Sequence, residues 1–538
     1  MTTVEELRGN IYDIDVNPTT YVERVAKYHP GKLALVYERE DWTYGAFAAR
    51  VRRFAHYIAS HGVRKGDRVA YLGLNSRSML ITMFGTWWSG GVFMPLNFRL
   101  AAKEITDLVD RGAPLVIVVE PGHAAVLQEV EGLDDVTVLL IDDDEAVPPT
   151  GDEPAGWERV SNGMGSLEAA AHETPEPLRV SMNDLGILMF TSGTTGLPKG
   201  VMLSFGNIFW NSINVDTLVD TRPGDMNYAA APLFHIGALN SFTIRAFVRG
   251  NATVVRRAVT PEQALLDIEK YRVNSAFLVP AQLIAMAKSA VFNDADMSSL
   301  RATICAGAPV PTALIQEYAA KGMAVQQAWG LTETAPFATY LPARMTGVKA
   351  GSCGEPMPYT EIKLVDVTTG ADIDEPHVSG ELCVRGPNVT IGYWNDPEAT
   401  AKAFPDGWFH SGDIGYRDED GFYFIVDRRK DMIISGGENI YPAEVERALH
   451  RLPGVRDIAV VGTPDPKWGE TVVAVVEFAD GQECDLEALR AFGETQLARY
   501  KLPRELWTVD VMPRNAAGKL DKPAIRRLVV ERRTAVAR

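Results

Sequence analysis

The feature that most constrains the fold of this sequence is an alternation of short apolar runs and helical segments near its N-terminus. Apolar runs at residues 68–72, 92–96, 114–119 and 136–141 have the length of buried strands, and the segments between them have the spacing of helices. Uninterrupted apolar strands separated by helices are typical of a parallel sheet covered on both faces. We therefore predict an α/β fold.

Further segments of the same half extend this prediction. Residues 34–37 and 42–44 predict a small hairpin, and residues 44–60 predict a helix. The most apolar window, residues 79–96, contains three glycines and Pro95, so it predicts a buried helix followed by a strand and no membrane span.

The alternation resumes after a surface connection rich in Asp, Glu, Pro and Gly at residues 142–177. The elements predicted there are a helix at 205–218 and strands at 187–190, 226–232, 253–255, 275–279 and 302–305. From residue 351 to about 426 the strands shorten and turns crowd in, which predicts a mostly β subdomain. The last part predicts strands at 458–461, 472–478 and 506–511 and a helix at 486–497.

Chain length and composition limit the number of domains and the class of partner. At 538 residues the chain is too long for one ordinary domain. We expect an N-terminal domain at 1–428, made of α/β sheets and a β subdomain, and a small mobile α+β domain at 429–538. The net charge of -17 argues against nucleic-acid binding through the overall field.

Cysteine usage and the N-terminus suggest the compartment. The four cysteines lie far apart and form no C-x-x-C pair, which argues against structural zinc and against a disulfide framework. The N-terminal residues lack the pattern of a signal peptide. We therefore expect a cytoplasmic protein.

A loop rich in hydroxyl groups and glycine, at residues 191–199, is suited to binding polyphosphate. Hydroxyl side chains donate hydrogen bonds, glycines allow backbone N–H groups to approach an anion, and a lysine adds positive charge. The residues concerned are Thr191, Ser192, Gly193, Thr194, Thr195, Gly196 and Lys199. The spacing differs from that of the P-loop, and a hydroxyl-rich loop taken alone is more often a surface turn.

Six further motifs follow this loop in a fixed order. They are Ala-Gly-Ala-Pro at 306–309, Ala-Trp-Gly-Leu-Thr-Glu-Thr at 328–334, Gly-Trp-Phe-His-Ser-Gly-Asp at 407–413, Asp-Arg-Arg-Lys-Asp at 427–431, Ser-Gly-Gly-Glu-Asn-Ile-Tyr-Pro at 435–442 and Pro-Arg-Asn-Ala-Ala-Gly-Lys at 513–519. With them the chain resembles, nearly end to end, the adenylate-forming superfamily, and within it the acyl-CoA synthetases. Each motif is weak alone, whereas the ordered set is specific.

The resemblance implies that MgATP activates a carboxylate as an acyl-adenylate, with release of pyrophosphate, before the acyl group passes to a thiol. It assigns the β- and γ-phosphates to the loop from Thr191 to Lys199. It assigns the adenine pocket to Gly307, Ala308, Pro309, Trp329 and Gly330, and the ribose hydroxyls to Asp413 with Arg428. The implied cofactors are ATP, Mg²⁺ and CoA, or the phosphopantetheine of a carrier protein.

The catalytic assignments follow from the same resemblance. Glu333 is expected to coordinate Mg²⁺, which prefers carboxylate oxygens, and Thr332 to hydrogen-bond the α-phosphate. Lys519 is expected to carry adenylation, because a lysine bridging the attacking carboxylate and the phosphate offsets their repulsion.

The transfer step is expected to use a second orientation of the small domain. Lys430 matches the hinge position of the family, and Gly436 with Gly437 would leave a channel for a pantetheine arm. Without the family context, the basic residues that include Lys430 indicate only a solvated turn. The pair Gly436-Gly437 alone indicates a simple turn.

The acid substrate is the least determined part. His235 belongs to a stretch similar to that of fatty-acid and aryl-acid ligases, and we place it in the catalytic set; the lack of Asp at this position argues against an α-amino acid. Phe234, Asn240, Trp210 and the Gly307 neighbourhood are candidates for the acyl pocket. Ala328-Trp329 replaces the more usual Gly-Tyr of the family, and Ser411 replaces Thr.

A medium- or long-chain fatty acid is our first expectation, and an aryl or polycyclic acid the second. The alternatives are an acyl- or β-amino-acyl-AMP ligase that loads a carrier protein, a luciferase-like oxygenase, and a non-catalytic binding protein on the same fold. The expected partners are a carboxylic acid, ATP and CoA, while an acyl carrier protein and a homodimer stay open.

Overall fold

The computed structural model describes residues 14–142, 156–160, 176–191, 198–307, 310–428, 431–435, 438–465, 469–494, 497, 499–515 and 518–536. The chain divides into two compact units. The first consists of Met1–Ile362 and Val384–Phe409, and the second of Lys363–Cys383 and His410–Arg538. The α/β class is confirmed, and a domain boundary at residue 429 stays a prediction.

The strands of the described residues are numbered in chain order. In the first unit, before its first junction with the second, they are β1 (Leu33–Tyr37), β2 (Glu40–Thr43), β3 (Arg68–Leu72), β4 (Val92–Leu96), β5 (Val116–Val119), β6 (Thr137–Ile141), β7 (Glu158–Val160), β8 (Leu185–Thr191), β9 (Lys199–Ser204), β10 (Met226–Ala229), β11 (Ala252–Val255), β12 (Ser275–Leu278), β13 (Ala302–Cys305), β14 (Gln326–Gly330), β15 (Phe337–Tyr340) and β16 (Glu355–Pro356). The later ones are β17 (Glu361–Val365), β18 (Asp372–Ile373), β19 (Gly380–Arg385), β20 (Phe409–Arg417), β21 (Tyr423–Arg428), β22 (Ile433–Ser435), β23 (Glu438–Ile440), β24 (Val455–Asp465), β25 (Gly469–Phe478) and β26 (Glu505–Thr508).

The α-helices are numbered in the same way. They are α1 (Pro18–Tyr28), α2 (Tyr44–Ser60), α3 (Arg77–Trp88), α4 (Ala102–Gly112), α5 (Pro121–Gln128), α6 (Phe205–Leu218), α7 (Ile236–Ala238), α8 (Ile244–Val248), α9 (Pro261–Lys270), α10 (Pro280–Ala287), α11 (Thr312–Ala320), α12 (Pro397–Ala403), α13 (Pro442–Leu449), α14 (Leu486–Glu494) and α15 (Lys522–Val536). A π-helical turn, Leu239–Thr243, joins α7 to α8.

Two large sheets form the frame of the first unit. The seven-stranded sheet has the order β7-β6-β5-β3-β4-β8-β9, and the nine-stranded sheet has the order β16-β15-β14-β13-β12-β10-β11-β1-β2. Their central strands are parallel, as predicted. The antiparallel pairs β8–β9, β1–β2 and β14–β15–β16 occupy edges, so both sheets are mixed.

Helices α2 and α3 supply large side chains to a core shared with strands of both sheets. Phe47, Phe84 and Phe247 pack ring against ring, with centroids 4.8 to 5.8 Å apart. Helix α2 begins after Thr43, whose hydroxyl accepts a hydrogen bond from the Ala46 N–H at 3.2 Å and so caps the first turn. This cap and the apolar face explain why the prediction of a helix at 44–60 is confirmed to the residue.

A buried ion pair links the C-terminal ends of two interior strands, one from each large sheet of the first unit. Arg257, which follows β11, donates to both oxygens of Glu120, which follows β5, at 3.1 and 2.7 Å. Glu120 also accepts from the Tyr71 hydroxyl at 2.5 Å and from the Leu74 N–H at 3.2 Å. Although burial lowers the pKa of Arg257, the hydrogen bonds and charge of Glu120 raise it well above its ordinary value.

The second unit contains two sheets. One has the order β18-β17-β19-β20-β21, which bears out the predicted shift to short strands and turns after residue 351. The other has the order β23-β22-β25-β24, with β26 pairing in parallel with β25. Helix α14 (Leu486–Glu494) connects β25 to β26, so the predicted βαβ unit is present.

No helix within the described ranges combines the length and the apolar character that crossing a bilayer requires. The apolar window at 79–96 forms α3 and β4, as predicted.

Candidate active site

The predicted phosphate-binding loop is the connection of an antiparallel hairpin. Strand β8 ends at Thr191, strand β9 begins at Lys199, and these two residues are cross-strand partners. The loop residues Ser192, Gly193, Thr194, Thr195 and Gly196 lie outside the described residues. The prediction of a strand before the loop is confirmed, whereas the strand that starts at Lys199 was missed.

Glu333 occupies the middle of a single 3-10 turn, Thr332–Thr334, which follows β14. The chain doubles back so tightly here that a Cβ added at Gly330 would lie 1.8 Å from the Pro336 carbonyl oxygen, so only glycine fits. The Asn388 amide donates to the carbonyl oxygens of Thr334 and Phe337, both at 2.9 Å, and holds the turn from outside.

A residue that the sequence did not reveal joins two of the predicted ones. The Tyr393 hydroxyl donates a hydrogen bond to Glu333 Oε1 at 2.9 Å, and the Lys199 Nζ lies 4.8 Å from the centroid of the same ring. Burial raises the pKa of Tyr393 above its ordinary value, and the neighbouring Glu333 raises it further. Tyr393 is therefore a neutral hydrogen-bond donor.

The carboxylate of Glu333 has the chemistry of a Mg²⁺ ligand. Its side chain is buried, with 8% of the residue exposed, and carboxylate oxygens are the donors that this hard cation prefers. Mg²⁺ usually takes only one or two carboxylates from the protein and completes its shell with phosphate oxygens and water. One buried carboxylate, joined through Tyr393 to Lys199 of the predicted phosphate-binding loop, therefore fits.

The other residues of the first unit that are predicted to contact the nucleotide lie on different elements. Trp329 lies buried in β14, and its backbone N–H donates to Thr339 Oγ1 at 3.2 Å. Thr332 is half-buried at the start of the Glu333 turn. Gly307 is exposed with a φ of +91°, a left-handed conformation that favours glycine; Ala308 and Pro309 are outside the described residues.

Two of the aromatic residues predicted for the acyl pocket, Phe234 and Trp210, each pack against another aromatic ring. Phe234 packs edge-on against Phe98 with centroids 5.3 Å apart, and exposed His235 follows it at the start of α7. Trp210 lies on α6 and packs against Tyr359, with centroids 5.1 Å apart.

Asn240 lies buried on the π-helical turn, and its amide donates to the Ala335 carbonyl at 2.6 Å. The amide of buried Asn211 donates to the Asn240 carbonyl at 2.7 Å. The side-chain oxygens of both asparagines have no hydrogen-bond partner among the described residues. A π-helical turn of this kind often marks a functional site.

In the second unit, Asp413 lies in β20 directly opposite Arg428 of β21. Asp413 is 3% exposed, and its N–H donates to Ser411 Oγ at 3.0 Å. The Ser411 hydroxyl donates in turn to the Leu382 carbonyl at 2.7 Å, so the Ser-Gly-Asp turn is tied to the neighbouring strand.

Lys519 is exposed on a tight turn of the second unit. Its N–H donates to Asn515 Oδ1 at 3.1 Å, and its carbonyl accepts from the Asn515 N–H at 2.8 Å. The isolated bridge between Arg514 and Leu520 closes the turn. Lys430, Gly436 and Gly437 lie outside the described residues.

Comparison with known proteins decides the family. Residues 22–394 match the AMP-binding enzyme family, and residues 444–519 match the AMP-binding enzyme C-terminal domain. The chain belongs to the AMP-binding enzyme family. This confirms the resemblance drawn from the six motifs.

Individual relatives cover almost the whole chain. A feruloyl-CoA synthase of Amycolatopsis is 41% identical over 505 residues, which are 94% of this chain and 97% of the relative. An indoleacetate–CoA ligase of Aromatoleum aromaticum is 39% identical over 514 residues, 95% of this chain and 98% of the relative. A long-chain-fatty-acid–CoA ligase of Mycobacterium tuberculosis is 35% identical over 485 residues, 90% of this chain and 92% of the relative.

A solved structure agrees with the fold. The o-succinylbenzoate–CoA synthetase of Bacillus subtilis, in complex with ATP and magnesium, has a TM-score of 0.80 and 29% identity, covering 94% of this chain and 98% of that one.

This AMP-binding enzyme is an acid–thiol ligase of the acyl- and aryl-CoA ligase group, with ATP, Mg²⁺ and CoA as cofactors and cosubstrates and a small carboxylic acid as substrate.

Proposed function

We propose that the enzyme converts an aryl-substituted carboxylic acid into its CoA thioester in two steps. The carboxylate attacks the α-phosphate of MgATP and forms acyl-AMP with release of pyrophosphate. The thiol of CoA then attacks the acyl carbon, forms the thioester and releases AMP. The observation that carries the choice of acid is the 41% and 39% identity with ligases of two aromatic acids, over almost the whole chain.

The contact of Lys199 and Glu333 through Tyr393 supports the ATP half of this proposal. A cation and a buried carboxylate held by one side chain suit a nucleotide whose phosphates are bound together with Mg²⁺. In this proposal the loop from Thr191 to Lys199 holds the β- and γ-phosphates, Glu333 holds Mg²⁺ and Thr332 contacts the α-phosphate.

The second unit supplies the remaining roles that we propose. Asp413 accepts the ribose hydroxyls, with Arg428 beside it, and Lys519 bridges the carboxylate and the α-phosphate during adenylation. Lys430 acts as the hinge, and Gly436 with Gly437 admits the pantetheine arm for the second step. Exposed Lys519, held on a compact turn, is suited to enter a site and leave it.

A medium- or long-chain fatty acid is the second candidate substrate. It is favoured by 35% identity with a long-chain-fatty-acid–CoA ligase. With either acid, the thiol that accepts the acyl group is a separate question for experiment, because the phosphopantetheine of a carrier protein ends in the same thiol as CoA.

The experiment is a competition among acids. The purified enzyme is incubated with ATP, Mg²⁺ and an equimolar mixture of ferulate, indoleacetate and octanoate, with CoA in one arm and a phosphopantetheinylated carrier protein in the other. Mass spectrometry of the thioesters identifies both partners. We expect an aryl-CoA product; preferential formation of octanoyl-CoA would overturn the aryl assignment, and thioester on the carrier protein alone would overturn the choice of CoA.

A further inference from the structure

Tyr393 contacts two side chains of opposite charge that the sequence places 134 residues apart, Lys199 and Glu333. Its hydroxyl meets the carboxylate, and its ring meets the ammonium group. Tyr393 is 7% exposed. All three residues belong to the first unit.

The backbone around Tyr393 is fixed to the same strand that carries Lys199. Tyr393 forms an isolated antiparallel bridge with Val201, and the Trp394 N–H donates to the Gly200 carbonyl at 2.8 Å. The Met202 N–H donates to the Gly392 carbonyl at 3.0 Å. Strand β9 is therefore paired on both sides, with β8 on one and with this segment on the other.

A second set of contacts ties the same segment to the Glu333 turn. The Thr390 N–H donates to the Glu333 carbonyl at 2.7 Å, and the Thr390 hydroxyl donates to the Met202 carbonyl at 2.6 Å. The Tyr393 N–H donates to Thr400 Oγ1 at 2.9 Å, which anchors it to α12. The ring is thus held from three elements and cannot swing away without breaking these hydrogen bonds.

The chemistry of a tyrosine suits this position. A neutral hydroxyl orients a carboxylate by a hydrogen bond and brings no charge of its own that would compete with a cation. An aromatic face attracts an ammonium group while leaving its protons available to a phosphate. A basic or acidic side chain in the same place would neutralise one of the two groups.

We propose that Tyr393 is a positioning residue of the ATP site, with its hydroxyl orienting Glu333 for Mg²⁺ and its ring placing Lys199 for the phosphates. This inference rests on the proposed function, because it takes the roles of Glu333 and Lys199 from there. It adds a residue that acts through both side chains.

The test separates the hydroxyl from the ring and uses binding, not turnover. The affinity for ATP is measured by calorimetry in the absence of any carboxylic acid, once with Mg²⁺ and once with excess EDTA. For Tyr393→Phe we expect a Mg²⁺-dependent gain in affinity that is about tenfold smaller than in the wild type, as for loss of one hydrogen bond to a charged group. Its affinity in EDTA should stay unchanged.

Tyr393→Leu removes the ring as well. We expect it to lose affinity in EDTA too, because Lys199 is no longer held. Tyr44→Phe is the matched control: Tyr44 is also a buried tyrosine of the first unit, and its hydroxyl donates to the Asn251 carbonyl at 2.7 Å. This control should keep the wild-type dependence on Mg²⁺, since it removes a buried tyrosine hydroxyl and its hydrogen bond without touching Glu333 or Lys199.

Glu333→Gln distinguishes failure of this inference from failure of the proposed function. If Glu333→Gln leaves the Mg²⁺-dependent gain intact, the metal assignment of the proposed function is wrong. If Glu333→Gln abolishes the gain and Tyr393→Phe keeps it, only the positioning role is overturned. When Glu333→Gln is already present, adding Tyr393→Phe should change the Mg²⁺-dependent gain no further; an additional loss would also contradict the proposal.

Discussion

Asp413 and Arg428 are cross-strand partners on β20 and β21, and the Asp413 N–H is held by the Ser411 hydroxyl. The residue that we assign to the ribose therefore lies in a hairpin whose register is fixed by backbone pairing. If Asp413 accepts the ribose hydroxyls, its contribution to nucleotide binding should be smaller when one of those hydroxyls is removed from the nucleotide.

Asp413→Asn should weaken the binding of ATP more than the binding of 2′-deoxy-ATP. A hydrogen bond to a charged group contributes about 1.5–3 kcal/mol, so the wild type should prefer ATP by about tenfold or more and the variant should not. The KM values of both nucleotides in a pyrophosphate-release assay measure this. Glu419→Gln, an exposed carboxylate beyond the end of the same strand, serves as the control. Equal discrimination by Asp413→Asn and the wild type would contradict the assignment.

Lys519→Ala should separate the two half-reactions. Loss of a group that stabilises transition-state charge lowers the rate about a hundredfold or more, so adenylation measured by ATP–pyrophosphate exchange should fall accordingly. Transfer from chemically prepared acyl-adenylate to CoA should continue, because that step needs no such bridge. Lys65→Ala, at an exposed ion pair with Asp184, is the control. A parallel loss of both steps would count against the role of Lys519 in adenylation alone.

Glu120→Gln should destabilise the first unit strongly. Its carboxylate is 1% exposed and pairs with Arg257, and removing one partner of a buried ion pair costs about 3–5 kcal/mol. Denaturant unfolding followed by tryptophan fluorescence measures the loss. Lys65→Met, which breaks the exposed pair with Asp184, should cost about 1 kcal/mol or less. Similar costs for the two variants would show that the Glu120 pair does not stabilise this unit.

Gly330→Ala should disrupt the Glu333 turn, because the added methyl group would overlap the Pro336 carbonyl oxygen. We expect poor folding or, if the protein folds, loss of Mg²⁺-dependent ATP binding. Gly347→Ala is the matched control, since nothing lies within 4 Å of a Cβ built there. A folded Gly330→Ala variant with normal binding of MgATP would contradict the described geometry of this turn.

Thiol labelling should discriminate Cys484 from the other cysteines. Cys305, Cys353 and Cys383 are buried, whereas Cys484 is half-buried. Burial raises the pKa of Cys484, and the neighbouring Asp485 raises it further. Since the thiolate is the reactive form, labelling of Cys484 by iodoacetamide should accelerate as pH rises. Peptide mass spectrometry identifies the labelled site, and faster labelling of Cys305 would contradict the described burial.

Local sequence patterns predicted the helices and strands well where the tertiary contacts favour the same structure as the local sequence. The Thr43 cap and the apolar face of α2 predict its ends, and the apolar runs at 68–72 and 92–96 coincide with β3 and β4. Strand β9 was missed because Lys199 and Gly200 interrupt the apolar pattern, although pairing with β8 keeps them extended. The family resemblance supplied Glu333 as a candidate, and the composition of the loop at 191–199 supplied Lys199.

Tyr393 could not be predicted, because its contacts depend on how segments far apart in the chain meet. The spacing of residues 388–396 gives no indication of a contact with Glu333. The ring is placed by pairing with β9, which forms only when the chain adopts its tertiary structure. The only local signal was a tyrosine directly after a glycine in the segment Gly-Pro-Asn-Val-Thr-Ile-Gly-Tyr that follows β19.

The course of the chain has a consequence for synthesis of the enzyme. The chain passes from one unit to the other three times, after residues 362, 383 and 409. In the five-stranded sheet, β19 lies between β17 and β20. While the ribosome has released residues up to 409 but not β20, β19 is an exposed edge strand, and such edges favour aggregation. The nascent chain therefore exposes this edge until β20 emerges, and a fragment ending at 409 should be less soluble than the full chain.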